Sequence, residues 1–104
     1  MSIYGEWLAA TIASSGTSSS EVNLGRDFEF LQIQIPTITS ATLKVQVAES
    51  SGGTFYDLGS SLTTVAGTGN YATVFKLGGY QFIKIVSSAS QGAERLIRVR
   101  GMRV

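Results

Sequence analysis

Two carboxylates stand two residues apart in "RDFEF", and four arginines crowd the closing stretch "AERLIRVRGMRV". On a strand, Asp27 and Glu29 share one face with their carboxylates roughly 7 Å apart, a spacing a glycosidase pair can use. Solvent-facing positions alternating with Phe28 and Phe30 produce the same spacing, and that is the expectation here. Ser14, Ser18, Ser60 and Ser87 have no histidine anywhere in the chain to activate them, and no local Ser–Lys motif stands in for one. The glycine-bearing "GTGN" (67–70) and "GGY" (78–80) do not sit between a strand and a helix as a phosphate loop does, so both are expected as turns. With no cysteine, disulfides and thiolates are excluded, and with no histidine as well, so are most zinc sites. The carboxylates are scattered without an Asp-rich loop. No catalytic residue, metal or other cofactor is expected, and the chain is not expected to be an enzyme.

The arginines allow two interpretations. On a closing strand, Ile97 and Val99 point one way and Arg98 and Arg100 the other. Parity puts Arg95 and Arg103 on the apolar side, and a bulge at Gly101 would return Arg103 to the face of Arg98 and Arg100. Such a stripe is either a solvated face that discourages edge-to-edge pairing or a basic surface that docks on an acidic partner. A nucleic-acid partner is not expected. The net charge is +1 with 14% charged residues, no helix is available for a groove, and no aromatic residues interleave with the arginines.

The elements that carry these residues follow from composition and alternation. A chain of 104 residues has the size of one domain with one modest core. Its 24 Ser and Thr, 12 Gly and single proline favour strands and tight turns. No apolar run approaches the ~20 residues of a membrane span, and the start lacks the pattern of a signal peptide, so a mature soluble protein is expected. Residues 1–20 are expected as an extended N-terminal arm ending in a flexible Ser/Gly-rich connector, and 21–104 as the folded domain. The arm's Tyr4, Trp7, Leu8 and Ile12 are costly in water, so they pack on their own domain or on a neighbour.

From Glu21 the alternation sharpens. "EVNLG" and "DFEFLQIQIP" place Val22, Leu24, Phe28 and Phe30, then Leu31, Ile33 and Ile35, with a parity slip after Phe30 that signals a bulge or two-sided burial. Pro36 is expected to end that ladder because it has no N–H. "ATLKVQVAE" turns Leu43, Val45 and Val47 inward. Shorter strands follow at 54–58 and 62–65, then "YATVFKLGG" and "YQFIKIVSS" joined by a two-residue turn at Gly78-Gly79, then "RLIRVRGMRV". Seven or eight short strands at this spacing predict an all-β, single-domain antiparallel β-sandwich.

The stretches "FLQIQIPTITSATLKVQVAESSGGTFYDLG" and "YQFIKIVSSASQGAERLIRVRG" resemble small virion proteins encoded near the capsid genes of tailed bacteriophages. In those proteins a "flxIxIPtldsAtlxVqvS" strand pair and a "yxyIKivsSasQgAxRxixvrG" ending recur. The similarity spans about residues 21–101, and its motifs are structural. It implies a jelly-roll-like module that decorates or cements a capsid, often as a trimer, with the major capsid protein or another virion protein as partner. The implied place is the virion, assembled in the host cytoplasm. It transfers no catalytic residue. Tyr4, Trp7, Leu8 and Ile12 of the arm, with Arg98, Arg100 and Arg103, are the expected protein contacts. The alternative is a carbohydrate-binding β-sandwich module of a phage tail or bacterial surface protein, with exposed aromatics as its platform.

Overall fold

The computed structural model describes residues 3–58 and 63–103. Every regular element among them is a strand: β1 (Ile3–Tyr4), β2 (Leu8–Ile12), β3 (Val22–Ala48), β4 (Tyr56–Asp57), β5 (Thr63–Ser87) and β6 (Arg95–Arg103). The strand expected near 62–65 falls partly outside the described residues; β5 begins at Thr63.

β3 and β5 are far longer than an ordinary strand, at 27 and 25 residues. Their register shows how they are used. Residues 22–23 of β3 pair with 82–83, residues 28–37 with 69–80, and residues 41–48 with 82–87 and 63–67. The register shifts between Asn23 and Phe28, between Phe28 and Phe30, and between Thr37 and Ala41. Each long strand is therefore a set of straight segments joined by corners. One layer runs 69–76, 28–37, β6, and then β1 and β2 side by side along the far edge of β6. The other runs 18–23, 82–87, 42–48, and then β4 with 63–67. Eight antiparallel segments in two layers of four, in this order, make a jelly-roll β-sandwich.

The inward residues of both layers form one cluster that includes Ala10, Ile12, Leu31, Ile33, Ile97 and Val99 from the first layer and Val22, Leu43, Val45, Val47, Ile83 and Ile85 from the second. The alternation over 42–47 is what the sequence predicts, with Leu43, Val45 and Val47 buried. A parity slip also occurs, since Phe28 and Leu31, an odd number of residues apart, are both buried, but it falls between Phe28 and Phe30 and not after Phe30, which is half-buried opposite Met102 on the outward face.

Three local expectations are corrected. Pro36 does not end the ladder, because Ile35 pairs with Tyr71 and Thr37 with Gly69 on either side of it. The partner strand adapts instead: Gly69 and Asn70 take positive φ (86° and 63°), and a Cβ at Gly69 would overlap the Pro36 carbonyl oxygen. Gly78-Gly79 is not a hairpin turn. Both residues have positive φ (78° and 100°) inside β5, where pairing passes from Phe30–Lys76 to Phe28–Tyr80. They form a corner in a strand that keeps the same partner on both sides. Gly101 is not a bulge either, because pairing runs unbroken from Gln34–Arg98 to Phe30–Met102. Its missing side chain makes room for the Phe28 ring, which a Cβ there would overlap.

Residues 3–20, where the sequence suggests an arm and connector, lie along the sandwich. β2 pairs with β6 over Leu8–Val99 to Ile12–Arg95, and the Ser-rich run is tied down by backbone bonds. Ser15 N–H donates to Gln91 O (2.7 Å), Ser87 N–H to Thr17 O (2.6 Å) and Gln91 N–H to Gly16 O (3.0 Å). Gln91 is itself 1% exposed. Its side chain accepts from Thr39 N–H (2.8 Å) and donates to Ser87 Oγ (3.0 Å), joining the bend after Pro36 to the loop before β6. Burying an amide is tolerable because these partners satisfy it.

Two substitutions test this packing. Gly101→Ala is expected to destabilise the fold by about 1–3 kcal/mol, the usual cost of forcing a group into a filled core. Gln91→Leu is expected to cost about 1–3 kcal/mol by stranding the Thr39 amide. Both are read as a lowered denaturant midpoint in equilibrium unfolding.

Candidate functional site

The outward face of the first layer gathers most of the residues expected to make contacts. β6 presents Arg98, Arg100 and Met102 outward, with Gln34, Gln32 and Phe30 as their cross-strand partners on β3. On its other side, Ala9 stands opposite Arg98 and Tyr4 opposite Met102. Between β1 and β2 the edge breaks over Gly5–Trp7, where Gly5 N–H still donates to Gly101 O (2.9 Å). The break leaves Trp7 beside Arg100. The Trp7 ring centre lies 4.6 Å from the Arg100 guanidinium carbon and 5.4 Å from that of Arg98, and the Tyr4 ring lies 5.1 Å from Arg100. Arg100 Nε–H also donates to Gln32 Oε1 at 2.7 Å.

Each cation–π contact at such an exposed site contributes about 0.5–1 kcal/mol. Together with the Gln32 bond, these contacts hold Arg100 in one orientation. Among the described residues the one ion pair is Lys44–Asp57 (3.0 Å), so no carboxylate stands within pairing distance of Arg98, Arg100 or Arg103. Beside Trp7 and Arg100 the face sinks into a hollow of about 240 Å³ walled by Gln32, Gln34 and Val74. Val74 is 50% exposed.

Tyr4, Trp7, Arg98 and Arg100 thus come together, and the other three expected contacts do not. Ile12 is fully buried in the chain's own core, and Leu8 is half-buried against it. Arg103 keeps the parity of Ile97 and Val99 because no bulge intervenes, and it escapes to solvent at the strand end. Gln32, Gln34 and Val74 were not singled out from the sequence. The alternation of the glutamines with Ile33 and Ile35 already marks them as outward.

A second feature lies at the end of the sandwich formed by the corner around 24–27, the turn at 49–54 and the corner at Gly78-Gly79. A hollow of about 330 Å³ is lined by Glu49, Ser50, Thr54, Tyr56 and Tyr80 over Val47. An adjoining hollow of about 250 Å³ is lined by Asp27, Glu49, Gly79, Tyr80 and Gln81. Asp27 and Glu29 are both exposed, as alternation predicts. The 49–54 turn is fixed by Glu21, whose carboxylate accepts from Gly52 N–H (2.7 Å) and Ser51 Oγ–H (2.6 Å). These bonds to Gly52 and Ser51 hold the Glu21 carboxyl below the ordinary value of 4.5. Asp57 is likewise lowered by its bonds from Gln46 and Lys44, which anchor β4 and with it the exposed Tyr56. Among the described residues no three carboxylates cluster as metal ligands do.

No family model matches the sequence, and no curated protein matches it. Solved structures do. The SPBc2 prophage-derived protein YomS superposes with a TM-score of 0.68 at 14% identity, over 98% of this chain and 95% of that one. Chitosan-binding module 1 of a chitosanase/glucanase from Paenibacillus sp. IK-5 gives 0.55 at 16% identity, over 89% and 74%. A truncated AlyQ with CBM32 and alginate lyase domains gives 0.59 at 10% identity, over all of this chain and 34% of that one. At such identities the likeness is one of fold. The chain is a β-sandwich module of a shape found in a prophage protein and in carbohydrate-binding modules.

The Glu21 clamp predicts a pH dependence. A carboxyl lowered in the folded state adds stability that is full above its unfolded value, near 4.5, and is lost as pH falls through the lower folded value. Glu21→Gln is expected to be less stable than the parent above that range, with the difference vanishing in more acid solution. The check is the urea midpoint measured across the acid limb for both proteins.

Proposed function

We propose that the chain is a non-enzymatic structural protein of a tailed-phage virion, a capsid decoration or cement protein that stabilises the shell by binding protein. Its partners are the major capsid protein or another virion protein and further copies of itself. The observation that carries this reading is the outer face of the first layer, where Arg98 and Arg100 are held by Trp7, Tyr4 and Gln32 and have no carboxylate partner among the described residues. Arginine and aromatic residues are the types enriched where protein surfaces meet. A held guanidinium loses little side-chain freedom on binding, so more of the contact energy is kept. The sequence resemblance to virion proteins and a fold shared with a prophage protein over nearly its whole length point the same way.

The carbohydrate-binding alternative needs bare aromatic faces. Trp7 and Tyr4 already carry guanidinium groups, which argues against a sugar platform there. What favours that alternative is the open hollow between Tyr56 and Tyr80.

The deciding experiment mixes the purified protein with capsids lacking it and, separately, with a glycan array. Saturable uptake by capsids that weakens with salt is expected. Arg98→Glu and Arg100→Glu should each weaken it about tenfold or more, because removing one partner of a buried charged hydrogen bond costs on the order of 2 kcal/mol or more. Glycan binding that disappears in Tyr56→Ala, with no uptake by capsids, would overturn the reading.

A further inference from the structure

Two patches of opposite charge lie apart on this chain, with Lys84, over the Phe55 ring (4.5 Å) and acting on Glu21, a cation near the acidic one. Arg98 and Arg100 lie on the outer face of the first layer, and Arg103 lies at the end of the same strand. The hollows at the loop end are walled by Asp27 and Glu49, with Tyr56, Tyr80 and Gln81 beside them, and no cation among the described residues lines either one. Neither Asp27 nor Glu49 has an ion-pair partner among the described residues. Each patch has one opposite charge next to it in sequence, Glu6 before Trp7 and Arg26 before Asp27. Both are exposed, and neither lines a hollow.

We propose that the arginine–aromatic face of one copy docks on the acidic, tyrosine-lined loop end of a second copy. The proposal rests on the reading of that face as a protein contact. The chemistry is complementary at each point. A guanidinium offers N–H groups to carboxylates and a flat cationic surface to aromatic rings, and the loop end supplies both kinds of partner. The loop end is also held in shape before contact, by Glu21 on Ser51 and Gly52 and by Lys44 and Gln46 on Asp57. The two patches share no residue, so the contact is head-to-tail and not a patch meeting itself. Repeated by a rotation that closes, it builds a ring.

Sedimentation velocity tests this on the full chain and on two charge-reversed variants, R98E/R100E and D27K/E49K. The parent is expected to associate at low salt and to dissociate as salt rises. Each variant alone is expected to be monomeric, with association weakened at least tenfold. Mixed in equal amounts, the variants should associate again, because the intact loop end of R98E/R100E meets the intact face of D27K/E49K and the reversed face of the first is opposite in charge to the reversed loop end of the second. That association also shows that both variants are folded; circular dichroism on each alone is the second check. A parent that stays monomeric at high concentration overturns the proposal. So does association that survives in D27K/E49K, which marks a face-to-face dimer, and so does a mixture of two folded variants that stays monomeric. Capsid uptake by the same proteins separates the two readings. A monomeric parent that loads capsids refutes self-association alone, whereas an associating parent that never loads them refutes the virion role alone.

Discussion

A strand that serves both layers of a sandwich has to turn a corner without losing the hydrogen bonds on either side of it. β3 and β5 do so together, as antiparallel partners that bend at matching places. The backbone at those places is not ordinary strand. Gly25, Gly69, Asn70, Gly78 and Gly79 all have positive φ, which four glycines and an asparagine adopt at low cost. The remaining elements depend on these corners. β6 finds its place because 30–34 is straight enough to pair with it, and β1 and β2 find theirs because β6 then offers a free edge.

The same dependence explains why the arginine face exists. Phe28, just past a corner, fills the space that Gly101 leaves empty, and its ring also sits close to Gly5, 3.1 Å from where a Cβ would be. Gly5 opens the break between β1 and β2, and that break brings Trp7 over Arg100 and Arg98. A core contact on the inner side therefore sets the spacing of an edge whose outer side carries the cations. Replacing the small residues at 5 or 101 would disturb the face without touching any of its members.

Much of this was legible in the sequence and some was not, for physical reasons. Local alternation identified the straight segments, since Leu43, Val45 and Val47, Ile33 and Ile35, and Ile97 and Val99 all face the core. It also separated Arg98 and Arg100 from Ile97 and Val99. What alternation cannot register is a glycine's reason for being there. The three glycine or proline sites expected as a stop, a turn and a bulge are all continuous strand, because each is decided by a chain segment distant in sequence: Pro36 by Gly69, Gly78-Gly79 by the 24–27 corner, and Gly101 by Phe28. Gln91 reads as a loop residue for the same reason. Its partner Thr39 lies 52 residues away. The association of Trp7 with the arginines depends on a register of β1 and β2 against β6 that only the folded chain fixes.

The balance of forces suggests what the charges are for. A buried aliphatic or phenylalanine side chain contributes about 1.5–3 kcal/mol, and the core holds many of them. An exposed ion pair contributes about 0–1 kcal/mol, and the described residues contain only one, between Lys44 and Asp57. Charge therefore adds little to this fold, and a chain with so few charged residues has no structural need to collect arginines on one strand. If they served only as a guard against edge-to-edge pairing, an edge strand would be the place for them. β6 is not an edge strand, since β3 pairs with 98–102 on one flank and β2 and β1 pair with 95–99 and 102–103 on the other. Arginines on the face of an interior strand protect no edge. Their position, beside the Trp7 and Tyr4 rings on the outer face of the sheet, is the one the proposed protein contact requires.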